Sequence, residues 1–132
     1  MAKLLLVEDN EMNRDMLSRR LIRKGYDIAI AVSGDEAVEK TRSENPDLVL
    51  MDISLPGMDG WEATRILKSD PATRPIPVIA LTASVLPEEK DRCLAAGMSA
   101  VLGKPFSIEQ LRSEVHKWLT DDAADPTQLR IS

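Results

Sequence analysis

Five short apolar runs, separated by longer amphipathic stretches, constrain the fold of this chain more than any other feature of its sequence. The runs are residues 4–7, 26–30, 48–51, 78–81 and 100–102. Uninterrupted apolar runs are typical of parallel strands covered on both faces, whereas the second run alternates and suits an edge strand. Strict alternation of strands and helices predicts an α/β fold, a parallel sheet with helices on both faces and right-handed crossovers.

Local signals place several helix ends. Ser33 with Glu36, and Ser107 with Gln110, have the spacing of capping boxes and predict where the second and the last helix begin. Gly25 follows an amphipathic stretch and predicts the end of the first helix.

Composition limits the class of protein. The chain has 132 residues, a net charge of −5, 43% hydrophobic residues and one cysteine. It fits one domain, predicted over residues 1–120, with 121–132 interpreted as a flexible polar tail. The sequence contains no apolar stretch of roughly 18 residues and no signal peptide, so we expect a cytoplasmic protein without membrane contact. The acidic charge argues against direct nucleic-acid binding.

Polar side chains follow four of the five predicted strands. Glu8 and Asp9 come after the first strand, Asp52 after the third, Thr82 after the fourth and Lys104 after the fifth. In open parallel sheets, ligands bind outside the carboxyl ends of the strands. We therefore expect three carboxylates, a hydroxyl and an ammonium group to meet at one edge.

Those residue types together suit phosphoryl transfer to a carboxylate. Three adjacent carboxylates repel one another, and Mg²⁺ relieves the repulsion because it prefers oxygen ligands. A carboxylate such as Asp52, held ionised beside the metal, is able to attack phosphorus and form an aspartyl phosphate. The ammonium of Lys104 and the hydroxyl of Thr82 then neutralise charge on the phosphoryl oxygens.

Each of these residues also has an ordinary structural interpretation. Asp9 or Asn10 is suited to cap the first helix, Asp52 to occupy a turn, and Lys104 to be a solvated lysine. Their joint position at the ends of four strands favours chemistry over unrelated structural roles.

Four segments resemble the response-regulator receiver family. They are residues 7–10 (VEDN), 50–60 (LMDISLPGMDG), 80–83 (ALTA) and 103–106 (GKPF), and the resemblance extends over residues 3–119. It is closest to single-domain, phosphorelay and hybrid-kinase receivers. The resemblance implies a flavodoxin-like doubly wound fold, with five strands in the order 2-1-3-4-5 and five flanking helices.

The resemblance also implies individual roles at the site. Asp52 would be the phosphoacceptor, and Asp9, Asp52 and the backbone carbonyl of Ser54 would ligate Mg²⁺, while Glu8 acts largely through water. Thr82 would be the switch hydroxyl, and Lys104 would pair with a phosphoryl oxygen.

Three further residues belong to the implied switch region. Ala83 follows the switch threonine, and the bond between Lys104 and Pro105 is usually cis in the family. Val101 occupies a position where the family often has Tyr or Phe as a rotamer switch. Without that aromatic ring, we expect the signal to be transmitted by shifts of backbone and loops around the fourth helix and the fifth strand.

The implied function is a two-component signalling switch that catalyses its own phosphorylation and dephosphorylation without being an enzyme in the usual sense. The implied partners are a histidine kinase or a histidine phosphotransfer protein, a downstream protein and, on phosphorylation, a second copy of the chain. The initiating Met1 and the absence of a second domain favour a stand-alone regulator, with the receiver of a hybrid kinase as the alternative.

Two other classes fit less well. A Mg²⁺-dependent hydrolase of the haloacid dehalogenase type has a second aspartate two positions after its nucleophile, and here that residue is Ser54. A flavodoxin-like nucleotide binder needs a phosphate-binding loop after the first strand, and the acidic Glu8 and Asp9 would repel phosphate.

Several residues that often have functional roles are interpreted as structural. Cys93 is expected to be a buried apolar residue, His116 to lie on the outer side of the last helix, and Trp61 and Trp118 to pack. The first helix is locally basic, which indicates either a solvated face or a dock for an acidic helix bundle; both interpretations stay open. Its basic residues are Arg14, Arg19, Arg20, Arg23 and Lys24.

Overall fold

Strands and helices alternate along the whole described chain. The computed structural model describes residues 2–55 and 57–124, with 120–124 described by their backbone alone. The elements are β1 Lys3–Val7, α1 Glu11–Arg23, β2 Asp27–Ala31, α2 Gly34–Glu44, β3 Leu48–Asp52, α3 Gly60–Ser69, β4 Val78–Thr82, α4 Pro87–Ala95, β5 Ala100–Gly103 and α5 Ile108–Ala124. The predicted alternation of five strands with five helices is confirmed.

The five strands form one parallel sheet in the order β2-β1-β3-β4-β5. This confirms the doubly wound fold, in which the strand order reverses between β1 and β3. β3 and β4 are buried along their whole length, whereas β2 is partly exposed, as predicted for an edge strand. Because all strands run in one direction, their carboxyl ends meet at a single edge.

Each face of the sheet has its own apolar core. Alternate strand residues such as Leu5 and Met51 face α2, α3 and α4, while their neighbours Leu6 and Leu50 face α1 and α5. Strands covered on both faces must be apolar at every position, which explains the uninterrupted apolar runs.

Short side-chain bonds fix the starts of the helices. The Asn10 side chain accepts a hydrogen bond from Asn13 N at 2.9 Å, so Asn10 rather than Asp9 caps α1. At the predicted capping box before α5, Gln110 N donates to Ser107 Oγ at 3.0 Å, and Ser107 N donates to Gln110 Oε1 at 2.8 Å.

The capping box before α2 is arranged differently from the expectation. Glu36 N donates to Ser33 Oγ at 3.2 Å, whereas the Glu36 carboxylate accepts from Val32 N at 2.8 Å, one residue further back.

The last helix is longer than the sequence pattern indicated. Its apolar periodicity ends at Leu119, yet the helical backbone continues to Ala124 and so includes the first four residues of the segment 121–132 interpreted as a tail. The remainder of that segment, 125–132, lies outside the described residues, as does Pro56 in the turn after β3.

The residues interpreted as structural lie where they were expected. Cys93 is 1% exposed, and the Trp61 indole Nε1–H donates a hydrogen bond to its sulfur at 3.2 Å. The Arg92 guanidinium lies 3.7 Å from the centroid of the Trp61 ring, so this contact joins α3 to α4. His116 is exposed, and Trp118 is half-buried on the other face of the sheet.

None of the helices within residues 2–55 and 57–124 is both long and apolar enough to cross a membrane.

The start of α3 is packed directly against the end of β3. A Cβ atom on Gly60 would lie 2.6 Å from the backbone oxygen of Asp52 and 3.1 Å from the Cα atom of Ile53. Only a residue without a side chain allows this approach, which places α3 against the carboxyl end of the central strand.

We predict that Gly60→Ala lowers the free energy of unfolding by about 1–3 kcal/mol, the usual cost of overpacking. Helix propensity alone would predict a gain of up to about 1 kcal/mol, so the sign of the change, measured by urea unfolding, distinguishes the two effects. Gly25→Ala is the control: Gly25 has φ +98° with no atom near its missing Cβ. Both variants should lose stability, but only Gly60→Ala should shift the amide resonances of Asp52 and Ile53.

Candidate functional site

Three carboxylates meet at the carboxyl edge of the sheet. β1 and β3 are neighbours with Val7 opposite Met51, so Glu8, Asp9 and Asp52 follow at adjacent strand ends. One carboxylate oxygen from each of the three residues lies within 4.8 Å of the others. Glu8 is 3% exposed and Asp52 is 4% exposed, whereas Asp9 lies at the surface. The predicted convergence of these residues is therefore present in the structure.

Lys104 is shared between two of the carboxylates. Its Nζ lies 3.6 Å from Glu8 Oε1 and 3.5 Å from Asp52 Oδ2. The end of β5 holds the lysine in place, since Lys104 N donates to Thr82 O at 2.7 Å. The following peptide bond to Pro105 is cis, as the resemblance implied.

The Asp52 carboxylate also closes the loop that follows β3. Ser54 N donates to Asp52 Oδ1 at 3.0 Å, while Asp52 Oδ2 faces Lys104. The two oxygens of Asp52 are thus distinguished: one is occupied by the backbone of its own loop, and the other faces the lysine.

Glu8 is the carboxylate most affected by its surroundings. Burial raises its pKa above the ordinary value, and the negative charge of Asp52 raises it further. The backbone N–H of Asn10, which donates to Glu8 Oε2 at 3.2 Å, and the Lys104 ammonium lower the pKa without offsetting the burial. Glu8 is therefore ionised only at a cost in the absence of additional positive charge.

Thr82 ends β4 beside this cluster. It is 7% exposed, and its hydroxyl oxygen accepts a hydrogen bond from Ser84 N at 3.1 Å. Of the other switch residues named from the sequence, Ala83 and Pro105 are exposed.

Val101 is half-buried and packs against the apolar core beneath α2, α3 and α4. It thus has a packing role at the position where an aromatic rotamer switch is common. Gly103 lies two residues further along β5. The side chain of Val85, from the β4–α4 loop, occupies the space where a Cβ atom of Gly103 would lie, so this loop packs on β5.

One contact at the site was missed by the sequence reasoning. The Arg14 guanidinium donates to the backbone oxygens of Glu8, at 3.0 Å, and of Asp9, at 3.4 Å. The sequence pattern gave Arg14 only as part of a basic helix face. Its position four residues after the cap Asn10, on the first turn of α1, is the signal that places it near the loop.

A cavity of about 250 Å³ opens beside the carboxylates, between α1 and the β5–α5 loop. Its lining is apolar except near Glu8, Asn13, Arg20 and Lys104. The other lining residues are Met16, Leu17, Leu81, Pro105, Phe106 and Ile108.

The charge balance of the cluster suits a divalent cation. Three carboxylates face one ammonium group, and Lys104 contacts two of them without matching their combined charge. The ligand atoms are all oxygens, the set that Mg²⁺ prefers. The residues present therefore fit a hard divalent ion, whose positive charge would offset the burial and the Asp52 charge that raise the pKa of Glu8.

Comparison with known proteins agrees with this geometry. Residues 4–116 match the response regulator receiver domain family. The chain is 38% identical over 117 residues to the polar-differentiation response regulator DivK of Brucella ovis, covering 89% of this chain and 95% of DivK.

Solved structures give the same picture. The receiver domain of a sensor histidine kinase from Pseudomonas aeruginosa PAO1, which has a magnesium ion coordinated in its active site cleft, superimposes with a TM-score of 0.84. The two sequences are 36% identical, and the match covers 90% of this chain and 98% of that one. The chemotaxis protein CheY4 of Vibrio cholerae gives a TM-score of 0.84 at 32% identity, covering 89% of this chain and 98% of CheY4.

We predict that Glu8→Gln stabilises the metal-free protein at about pH 7 and that this gain shrinks toward about pH 4. The folded chain binds the Glu8 proton more tightly than the unfolded chain, because its pKa is raised. The stability that Glu8 contributes through this proton is therefore fully present below the pKa of the unfolded chain and is lost as the pH rises through the pKa of the folded chain.

The measurement is urea unfolding of both proteins in EDTA at the two pH values. Glu39→Gln, at an exposed position of α2, is the matched control and should show no comparable pH dependence. An equal effect of Glu8→Gln on the free energy of unfolding at both pH values would contradict a raised pKa for Glu8.

Proposed function

The chain belongs to the response regulator receiver domain family, and on that premise we propose that it accepts a phosphoryl group on Asp52 and transmits the change to a protein partner. The observation that carries this proposal is the convergence of Glu8, Asp9 and Asp52 within 4.8 Å, with Lys104 placed against two of them. The phosphoryl donor is a histidine kinase or a histidine phosphotransfer protein.

Mg²⁺ would be held by the carboxylates of Asp9 and Asp52 and by the backbone oxygen of Ser54, with Glu8 acting largely through water. When bound, the ion supplies the positive charge that lets these carboxylates stay ionised next to a phosphate. The solved relative from Pseudomonas aeruginosa, with magnesium in its active site cleft, supports this assignment.

Asp52 acts as the nucleophile in this proposal. Its carboxylate oxygen forms a bond to phosphorus while the bond from phosphorus to the donor's imidazole nitrogen breaks, and the donor leaves with that electron pair. Lys104 already lies between the reacting carboxylate and Glu8, so a small movement of its Nζ brings it onto a phosphoryl oxygen. The positive charge of Lys104 then stabilises the negative charge that accumulates on the phosphoryl oxygens.

Thr82 links the chemistry to the fold. Its hydroxyl accepts from Ser84 N, so turning the hydroxyl toward a phosphoryl oxygen gives up that bond at the start of the β4–α4 loop. The loop is packed on β5 through Val85, and Val101 offers no aromatic ring to rotate. The proposed output is therefore a shift of the β4–α4 loop and α4, read by a downstream protein.

Hydrolysis of a phosphoester, the alternative function for such a site, is less well supported. That chemistry needs a general acid near the nucleophile, and the residue two positions after Asp52 is Ser54, whose backbone N–H is bonded to the Asp52 carboxylate. The proposed role is accordingly a phosphorylated switch rather than a phosphatase.

We predict that acetyl phosphate with Mg²⁺ adds one phosphoryl group to the protein and that Asp52→Asn abolishes the addition, since an amide is not a nucleophile. Intact-protein mass spectrometry measures the product. The matched control is Asp59→Asn, because Asp59 lies in the same segment and caps α3, a role that Asn also performs. Phosphorylation of Asp52→Asn equal to that of the wild type would contradict the proposal.

The donor would dock over the cavity beside the site. α1 presents Met12, 78% exposed, and Met16, 47% exposed, together with its basic residues. Apolar side chains with Arg20 and Lys104 beside Met16 suit a helix bundle with an apolar and acidic face. Of the two interpretations of the basic helix, the dock is the one we propose, because the cavity adjoins the reacting residues.

We predict that Met16→Glu slows phosphotransfer from the cognate histidine phosphotransfer protein by about tenfold, a typical loss for one interface residue. Labelling by acetyl phosphate should not change, because a small-molecule donor needs no docking surface on α1. Val32→Glu, at an exposed position away from the cavity, is the control and should leave both rates unchanged. If Met16→Glu leaves transfer from the protein donor unaffected, α1 is not the docking surface.

A further inference from the structure

Besides the cap Asn10, the guanidinium group of Arg14 ties the loop between β1 and α1 to the helix that follows it. Arg14 Nη1 donates to the backbone oxygen of Glu8 at 3.0 Å and to that of Asp9 at 3.4 Å. Arg14 is half-buried on the first turn of α1, where most of its neighbours are exposed. The Arg14 side chain thus bonds to the backbone of the two acidic residues rather than to their carboxylates.

Of the two acidic residues, Asp9 has fewer other restraints. Glu8 has other restraints, because its carboxylate accepts from Asn10 N and faces Lys104. Asp9 is exposed, and among the described residues no hydrogen bond or ion pair restrains its carboxylate. Its direction therefore depends on its backbone, and the bond to Arg14 restrains the carbonyl group of that same residue.

We propose that Arg14 is a positioning residue for the metal site: it holds the β1–α1 loop so that the Asp9 carboxylate faces Asp52. The inference rests on the proposed function, since it assumes that these carboxylates bind Mg²⁺. Residues that hold metal ligands in place typically change metal affinity by about tenfold or more when they are replaced. Arg14 suits this role because one nitrogen of its guanidinium, Nη1, reaches both carbonyl oxygens.

Charge and positioning make opposite predictions for this arginine. If Arg14 acted only through its charge, removing it would tighten Mg²⁺ binding, because a cation would no longer stand near the site. If Arg14 positions the loop, removing it weakens Mg²⁺ binding despite the lost repulsion. The direction of the change in affinity therefore separates the two roles.

The experiment compares the full chain with Arg14→Gln and Arg14→Lys by calorimetric titration with Mg²⁺ alone. We expect the dissociation constant to rise about tenfold in Arg14→Gln and to rise less in Arg14→Lys, which keeps the charge and a donor nitrogen. Arg19→Gln is the matched control: Arg19 lies on the same helix, pairs with Asp15 and does not contact the loop, so its affinity should match the wild type.

A second measurement needs no metal. Amide hydrogen exchange in EDTA should be faster at Asn10 and Asn13 in Arg14→Gln than in Arg19→Gln, with the core amides of β3 unchanged. Unchanged or tighter Mg²⁺ binding by Arg14→Gln, or unchanged exchange at the loop, would overturn the inference. Failure of the wild type to bind Mg²⁺ would overturn the proposed function instead, and the exchange rates would still decide whether Arg14 holds the loop.

Discussion

The repulsion among three carboxylates at one edge of the sheet is the constraint on which the rest of the site depends. Glu8, Asp9 and Asp52 are forced together because parallel strands end side by side, and two of the three are almost fully buried. The single ammonium of Lys104 contacts two of the three carboxylates, and the pKa of Glu8 stays raised, chiefly by burial and further by the charge of Asp52. A site with unbalanced negative charge and oxygen ligands accommodates a divalent cation and a phosphoryl group together.

Such a cluster persists because the surrounding structure leaves the carboxylates little freedom to separate. β3 is buried on both faces, so Asp52 cannot move without disturbing two apolar cores. The missing side chain of Gly60 lets α3 pack on the Asp52 backbone, and Arg14 holds the loop that carries the other two carboxylates. Holding like charges in proximity thus lowers the net stability that the strands provide, an arrangement common at functional sites.

Much of this arrangement followed from the sequence, and the parts that did not have physical reasons. The strands were predictable because burial on both faces demands uninterrupted apolar runs, and the site because residues after parallel strands meet at one edge. The choice of Asn10 over Asp9 as the cap of α1 was not predictable, since both side chains are suited to that position. The extension of α5 to Ala124 was missed because its last turns lack the apolar periodicity on which the prediction relied. The contact of Arg14 with the β1–α1 loop was missed because the sequence pattern placed Arg14 only on a basic helix face, although its spacing from the cap Asn10 brings it next to that loop.

The Trp61 contact has an optical consequence. The indole ring belongs to α3, whereas the guanidinium above it and the sulfur beside its N–H belong to α4. Any displacement of α4 relative to α3 changes the polarity around this chromophore and the access of a quenching thiol. Trp118, on the opposite face of the sheet with its indole N–H on Glu114, is remote from that contact. The chain therefore contains both a fluorescent reporter of the helix that follows the β4–α4 loop and an internal reference.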